Sequence, residues 1–199
     1  FGCEESHGYL AGTHVRDKDA SVAALLLAEL AADLKSQGKT LHQKLDEIFC
    51  AYGCHLEHQV AIKLPGAAGM DQMREIMAGL RGDLPTEFGG LPVRRARDYG
   101  QLKFLESGGR ETPFEGEQGD LVIFDLIDPD CPSNPGSEHD FPPLRNAIAA
   151  RPSGTEPKIK FYLFVFSPPL AVEELPSVKQ VLESRLDLLE KDLRRRVGV

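Results

Sequence analysis

The sequence predicts a protein of mixed helices and strands, organised in two segments, residues 1–52 and 53–199. The first segment contains two consecutive helix patterns and almost no strand pattern, whereas strand and helix patterns alternate in the second. Hydrophobic residues make up 41% of the chain, as in globular proteins. We therefore interpret the two segments as pieces of two different domains.

The first segment contains two helices with clear boundaries. Asp19 can cap a helix rich in alanine and leucine that ends before Gly38. Its nearly all-round apolar surface predicts burial against a sheet or other helices. The second helix begins with Thr40 and Gln43 in capping-box spacing and ends at Gly53.

The second segment begins with a strand pattern, "HLEHQVAIKL", followed by an amphipathic helix, "GMDQMREIMAGLRG". Two further strand candidates are "LPVRRARDY" and "GDLVIFDLID". A connection rich in Pro, Ser, Gly and Asp follows, from Pro129 to Pro143. The last helix begins near Ser177, and its apolar face comprises Val178, Val181, Leu182, Leu186, Leu189 and Leu193.

Charge and composition exclude several classes of partner and location. The chain has 31 acidic and 23 basic residues, a net charge of -8, which argues against nucleic acid or an anionic membrane as its main partner. It contains no apolar run near the roughly 20 residues that span a bilayer, and no signal-peptide pattern. Four cysteines are too few for a disulfide framework, which favours a reducing cytoplasm.

A basic turn stands out in this acidic chain, in the stretch "NAIAARPSGTEPKIKFYLFVF", residues 146–166. Two apolar runs separated by Pro and Gly predict strand, turn, strand. Lys158 and Lys160 are two apart, so they project from the same face of a strand. Hydroxyls, a flexible glycine and cations predict a site for a phosphate-like dianion, although a solvated hairpin with ordinary turn chemistry remains an alternative. We call residues 151–160 the basic loop; its candidate ligands are Arg151, Ser153, Gly154, Thr155, Lys158 and Lys160.

A second candidate site lies in "FGCEESHGYLAGTHVRDKDA", of which we call residues 2–18 the amino-terminal loop. If this stretch is extended, Glu4 and Ser6 point to the same side and could bind vicinal hydroxyls. Arg16 and Lys18 precede the helix cap, with acids between them. The alternative is a charged approach to a helix, with ordinary capping and surface ion pairs.

Three motifs in this order, "EESHG", "RDKD" and "RPSGTEPK", resemble the alpha-D-phosphohexomutase family, the phosphoglucomutases and phosphomannomutases. The resemblance covers essentially the whole chain and matches the third and fourth domains of that four-domain family. It implies that residues 1–52 end the third, α/β, sugar-binding domain. Residues 53–199 would form the fourth, phosphate-binding domain, an α+β fold of TBP-like type with helices packed on one face of an antiparallel sheet.

The resemblance also implies roles for individual residues. Glu4 and Ser6 would contact ring hydroxyls of a sugar, and Lys18, with Arg16 beside it, would be an acid/base lysine. Cys3 departs from the family pattern, in which many members have Gly before the Glu pair, so sugar specificity is open. The non-reacting phosphate would be held by Arg151, Ser153, Gly154 and Thr155, with Lys160 and Lys158 facing it.

The family reaction interconverts hexose 1-phosphate and hexose 6-phosphate through a phosphoserine and a bisphosphate. The chain lacks the family's serine loop and its acidic Mg2+ cluster, and the acids around residue 130 do not replace that cluster. We therefore expect no metal ligand here, with Mg2+ and hexose 1,6-bisphosphate serving a longer enzyme whose other domains pack against this chain. This chain alone should bind but not catalyse, and the region near residue 53 should be the hinge of domain closure.

Two alternative functions remain open at this point. The chain could be a non-catalytic sugar-phosphate-binding module, or the enzyme could be a phosphopentomutase. A zinc site is also conceivable in "CAYGCHLEH", which holds Cys50, Cys54, His55 and His58. The four side chains span a helix end and a strand start and should diverge, so we expect no zinc there.

Overall fold

The computed structural model describes residues 1–4, 7–106, 108–128 and 145–198. The elements of the first segment are β1 (Gly2–Cys3), β2 (Tyr9–Leu10), α1 (Ala20–Ser36) and α2 (Leu41–Tyr52). Those of the second segment are β3 (Cys54–Lys63), α3 (Gly69–Gly82), β4 (Glu87–Phe88), β5 (Leu91–Asp98), β6 (Lys103–Glu106), β7 (Glu111–Pro113), β8 (Val122–Leu126), β9 (Ala147–Pro152), β10 (Lys158–Ser167) and α4 (Leu175–Val197).

The second segment is built on one antiparallel sheet. Its described strands follow the order β3-β10-β9-β8-β5-β6-β7, and β4 pairs with β5 beside this path. The longest pairing joins β3 and β10, from Lys63 opposite Lys158 to Cys54 opposite Ser167. With two helices packed on this sheet, the predicted α+β class is confirmed.

The core lies between one face of the sheet and helices α3 and α4. Alternate residues of β10 point into it and are fully buried: Ile159, Phe161, Leu163 and Val165. The helices contribute Met73, Met77 and Leu80 from α3, and Leu182, Leu189 and Leu193 from α4. Val181, predicted on the packed face of α4, is instead exposed, because it lies about 100° around the helix from Leu182.

The intervening residues of β10 face away from the helices, because side chains alternate along a strand. Tyr162 and Phe164 pack there against a small buried cluster of Ile123, Ala147 and Ala149. Lys158 and Lys160 occupy the same face at the start of the strand. The core beneath β10 therefore supports a face on which polar side chains are displayed.

The helix boundaries of the first segment agree with the sequence prediction. Asp19 caps α1 by accepting a hydrogen bond from the Ser21 N–H at 2.9 Å. Thr40 and Gln43 form the predicted capping box of α2. These caps depend only on neighbouring residues, which is why the sequence pattern identified them.

The burial predicted for α1 is wrong in the described structure. Leu34 is its buried residue, whereas four leucines on its body are exposed. The helix packs against β2 and α2, which are too small to cover its surface. The exposed leucines are Leu25, Leu26, Leu27 and Leu30.

In the second segment, the sequence prediction missed three short strands, β4, β6 and β7. They contain two to four residues each, too few for an alternating pattern to emerge. Their pairing with β5 and with each other supplies the regularity that the local sequence lacks.

Helix α2 is tied to the second segment. The Lys179 ammonium lies 2.7 Å from an Asp46 carboxylate oxygen, and the Leu170 N–H donates to the Cys50 carbonyl at 3.2 Å. Gly53 joins α2 to β3 with a φ of 103°, close to the Phe166 ring. The predicted hinge near this residue remains a prediction. Among the described residues, no helix has the length and apolar character to cross a membrane.

Candidate functional site

The basic loop connects β9 to β10 and is anchored at both ends. The Ser153 N–H donates to the Lys158 carbonyl at 2.8 Å, and the Leu64 N–H donates to the Pro157 carbonyl at 2.9 Å. Gly69 at the start of α3 permits this approach, because a Cβ there would lie 1.9 Å from the Leu64 carbonyl oxygen and 2.9 Å from Pro157. The loop is therefore held by β3 and α3 as well as by its own hairpin.

Ser153 organises the inside of the turn. Its hydroxyl oxygen accepts hydrogen bonds from the backbone N–H groups of Thr155, at 3.4 Å, and Glu156, at 3.2 Å. This is the turn chemistry expected for an ordinary hairpin. Because a hydroxyl also carries one hydrogen, Ser153 can still donate to a ligand while it closes the turn.

Three cationic side chains meet at a cavity of about 170 Å³ beside this turn. Lys160 lies directly opposite Arg151 in the β9–β10 pairing, so their side chains share one face. Among the described residues of the loop, Thr155 does not line the cavity, although it was predicted to bind there. We call this the basic cavity; it is lined by Arg151, Pro152, Ser153, Gly154, Lys158 and Lys160.

Gly154 lines the basic cavity, but its backbone conformation does not require glycine. Its φ is not among the positive values of the described chain. A Cβ built on it would meet nothing within 4 Å. The glycine therefore leaves open space at the wall of the cavity, which suits close approach of a ligand to the backbone.

Glu156 is an acidic residue within the basic loop that the sequence interpretation did not assign. Its carboxylate oxygen lies 2.6 Å from the Lys158 ammonium. The hydrogen bond and the charge of Lys158, with a smaller contribution from Lys63, lower the pKa of Glu156. The signal available in the sequence was an acid between Arg151 and two lysines.

The amino-terminal loop surrounds a second cavity, of about 330 Å³. The Glu4 N–H donates to the Gly8 carbonyl at 2.8 Å, and the Asp19 N–H donates to the Tyr9 carbonyl at 2.8 Å. These bonds bring the loop against the start of α1. We call this the amino-terminal cavity; it is lined by Gly2, Cys3, Glu4, Gly8, Leu10, Asp17 and Lys18.

Glu4 and Lys18 therefore share one cavity, as a common site requires. The Lys18 ammonium lies 3.8 Å from a Glu4 carboxylate oxygen and 3.6 Å from an Asp17 oxygen. The Lys18 N–H also hydrogen-bonds Asp17, and this bond, followed by the charge of Lys18, lowers the pKa of Asp17. Arg16, itself a described residue, does not line the cavity, and Ser6 lies outside the described residues.

Gly8 is a further site residue that the sequence interpretation did not assign. It is buried, and a Cβ there would lie 2.5 Å from Lys18 Cδ and 2.7 Å from a Glu4 carboxylate oxygen. Glycine is thus required for the lysine and the glutamate to approach each other. Its position at the end of the "EESHG" motif was the signal that could have identified it.

The two histidines near residue 54 lie on opposite strand faces, whereas Cys50 and Cys54 both pack against the core. The His55 ring packs 4.6 Å from the Phe166 ring, and burial lowers the pKa of His55. His58 lies on the other strand face, 3.0 Å from Glu190 of α4. In the described part of the chain, no group of three His, Cys, Asp or Glu side chains could hold a metal ion.

The connection from Pro129 to Pro143 lies outside the described residues, which reach Asp128 before it. Asp128 forms an ion pair with Arg185 of α4. The remaining acids of this stretch, within residues 129–144, lie outside the described residues.

Comparisons with known proteins relate both segments to one family. The family model described as phosphoglucomutase/phosphomannomutase, alpha/beta/alpha domain III, matches residues 1–52. A phosphoglucomutase of Staphylococcus haemolyticus is 34% identical over 82% of this chain, and one of Staphylococcus aureus is 33% identical over 84%. A probable phosphomannomutase of Haemophilus influenzae is 34% identical over 82%. The chain spans 27% of the first and third of these relatives and 28% of the second.

Proposed function

Because the chain belongs to the phosphoglucomutase/phosphomannomutase family, we propose that it is the substrate-binding part of a sugar-phosphate mutase. The mutase interconverts hexose 1-phosphate and hexose 6-phosphate through a phosphoserine and a hexose bisphosphate. In this proposal the basic cavity binds the phosphate that does not react, and the amino-terminal cavity binds the sugar.

The basic cavity is the observation that supports the proposal most directly. Arg151, Lys158 and Lys160 line one small cavity in a chain whose net charge is -8. Three cationic side chains around one small cavity suit an anion with several acceptor oxygens. Arg151 can bind two such oxygens at once, and Ser153 can donate a further hydrogen bond.

The amino-terminal cavity offers the groups that a sugar requires. The Glu4 carboxylate can accept hydrogen bonds from two neighbouring hydroxyls. Lys18, held near Glu4 by the absence of a side chain at Gly8, can donate a proton or a hydrogen bond to a reacting oxygen. Ser6 and Arg16 are proposed to help bind the sugar on the family resemblance alone.

We propose that the phosphoserine and Mg2+ belong to parts of the enzyme outside this chain, and that hexose 1,6-bisphosphate is its activator. The described residues contain no fitting metal site, so no step is assigned to Mg2+ here. The exposed leucines of α1 support packing against further domains. The free thiols of Cys3, Cys50 and Cys54 are consistent with an enzyme of the cytoplasm.

The first experiment measures binding of inorganic phosphate and of glucose 1-phosphate to the 199-residue chain by amide NMR titration. Arg151→Ala should weaken both ligands about tenfold or more, because a charge-assisted hydrogen bond contributes about 1.5–3 kcal/mol. Arg110→Ala is the matched control, since Arg110 is exposed and pairs with Glu106 away from both cavities. Equal affinities for the two variants would contradict the proposal.

Glu4→Gln separates the two cavities. We expect weaker binding of glucose 1-phosphate and unchanged binding of inorganic phosphate, because Glu4 faces the sugar and not the phosphate. The same titration measures both. A parallel loss for the two ligands would show that Glu4 acts on the fold of the chain instead.

The mutase reaction is tested with glucose 1-phosphate, Mg2+ and a trace of glucose 1,6-bisphosphate. We expect turnover by the protein from the complete gene and none by the 199-residue chain. Turnover by the 199-residue chain would contradict the placement of the phosphoserine elsewhere. Binding by both proteins with turnover by neither would favour a non-catalytic sugar-phosphate-binding module.

A further inference from the structure

A fourth cation, Lys63, lies beside the basic cavity. It is the last residue of β3 and lies directly opposite Lys158 in the β3–β10 pairing. Residues directly opposite in antiparallel strands share a face, so Lys63 and Lys158 both project from the face of the sheet opposite to α3 and α4. Lys63 is exposed and does not line the basic cavity, which places it just outside the proposed phosphate site.

Glu156 lies where it can interact with both lysines. Its carboxylate oxygen is 2.6 Å from the Lys158 ammonium, and the charge of Lys63 acts on it as well. The Glu156 side chain is 62% exposed, whereas that of Lys158 is 25% exposed. The carboxylate is therefore the more exposed partner and can turn in solvent without repacking the core.

This arrangement creates a competition for Lys158. A phosphate dianion in the basic cavity needs the Lys158 ammonium, which the Glu156 carboxylate already contacts. If Glu156 kept that position, two negatively charged groups would share one cation. Lys63 offers a second position for the carboxylate on the same face.

We infer that Glu156 is an exchangeable internal counter-ion, paired with Lys158 in the empty site and transferred to Lys63 when phosphate binds. Glu156 then weakens phosphate binding, and Lys63 reduces this loss of affinity by pairing with the displaced carboxylate. Lys63 is thus a positioning residue that acts through Glu156. This inference rests on the proposed phosphate site and deepens it.

The experiment is a double-mutant cycle on the 199-residue chain, with inorganic phosphate as the probe and the Gly154 amide as the NMR reporter. Glu156→Gln should bind phosphate about three- to fivefold more tightly, in line with the upper range for an exposed ion pair. Lys63→Gln should bind it about two- to threefold more weakly, and Lys63→Arg should restore the affinity. In the Glu156→Gln background, Lys63→Gln should have no further effect.

Two variants with matched charge changes serve as controls. Glu117→Gln alters an exposed residue and Lys103→Gln a half-buried one; neither residue lines either cavity, and we expect both variants to leave the phosphate affinity unchanged. They distinguish the exchange of Glu156 between the two lysines from a general effect of the net charge of the chain on phosphate affinity. Equal gains for Glu117→Gln and Glu156→Gln would overturn the inference.

The remaining outcomes separate this inference from the proposed function. If phosphate shifts the amide signals of residues 151–160 in the wild type but Glu156→Gln binds phosphate with the same affinity, the phosphate site is supported and the exchange of Glu156 is overturned. A persistent Lys63→Gln effect in the Glu156→Gln background would show that Lys63 attracts phosphate directly, and would also overturn it. Phosphate binding by Glu156→Gln but not by the wild type would support the inference. Phosphate binding by neither of these two proteins would overturn both proposals.

Discussion

The basic loop and the amino-terminal loop are supported by very different amounts of structure. The basic loop joins two interior strands of the large sheet, and Ala150 and Ile159, near its two ends, are fully buried. The amino-terminal loop contains two strands of only two residues each and lies next to a helix with exposed leucines. The first loop is thus held by a core within this chain, whereas the second depends mainly on its own short-range bonds.

This difference relates to what each loop is proposed to bind. A phosphate group needs cations held at fixed separations, and a buried sheet holds Arg151 and Lys160 opposite each other. In the amino-terminal loop, Glu4 and Lys18 meet through an ion pair and the close packing of Gly8. We therefore expect mutations in the sheet to affect stability first, and mutations in the amino-terminal loop to affect ligand binding first.

Phe161→Ala should produce the largest effect, because this fully buried side chain lies in the core beneath the basic loop. Truncating a buried aromatic side chain lowers the free energy of unfolding by about 3–5 kcal/mol. Leu27→Ala is the matched change in the first segment, where Leu27 is 55% exposed, and it should cost less than about 0.5 kcal/mol. Urea denaturation measures both, and similar losses would remove the contrast between the two regions.

Gly53→Ala tests the junction between the two regions. At a φ of 103°, a Cβ would lie 2.4 Å from the Phe166 ring and 2.6 Å from the Ser167 carbonyl oxygen. We expect a loss of about 3 kcal/mol, at the upper end for backbone strain, since steric overlap adds to it. Gly38→Ala also has a positive φ but meets nothing within 4 Å, so its loss should be about 1 kcal/mol. Equal thermal denaturation of the two variants would show that Gly53 is not tightly packed.

Asp192 and Asp17 allow the pH dependence of the free energy of unfolding to be compared between the two regions. Burial alone would raise the pKa of Asp192, but hydrogen bonds from Arg196, the Gly89 N–H and Arg195 outweigh it and lower that pKa below 3.8. A carboxylate with a depressed pKa stabilises the fold above its unfolded pKa, and this contribution is lost as the pH falls through the folded pKa. Asp192→Asn should therefore lower the free energy of unfolding by about 1–2 kcal/mol at pH 7.

The difference between wild type and Asp192→Asn should shrink as the pH falls from about 4, where the carboxylate of the unfolded chain begins to bind protons, through the lower pKa of the folded state. Asp17→Asn is the control, because Asp17 is fully exposed although its pKa is also lowered. We expect no measurable change in acid stability for this variant. Denaturation curves between pH 2.5 and 7 distinguish them, and a pH-independent effect of Asp192→Asn would contradict the assignment.

The sequence predicted best those features that depend on neighbouring residues. The Asp19 cap and the Thr40–Gln43 capping box involve partners two or three positions apart. The placement of Lys158 and Lys160 on one face follows from the alternation of side chains along a strand. The order of the three motifs was also sufficient to identify the family.

The sequence did not predict the features that depend on strand pairing. Lys63 meets Lys158 only because β3 and β10 pair in one register, and nothing in the local sequence specifies that register. The short strands β6 and β7 are regular only through their pairing with each other and with β5. The burial predicted for α1 is also wrong, since an apolar helix surface predicts packing against another element but does not specify which element.

By itself, the sequence determined the helices with their caps, the hairpin of the basic loop and the residues that carry charge there. Only the tertiary structure decided which of those charges meet. It placed Glu156 against Lys158, brought Lys63 to the edge of the basic cavity and packed Gly8 beneath Lys18. Local structure follows from nearest-neighbour geometry, whereas these contacts form only when distant strands share hydrogen bonds and a common buried core.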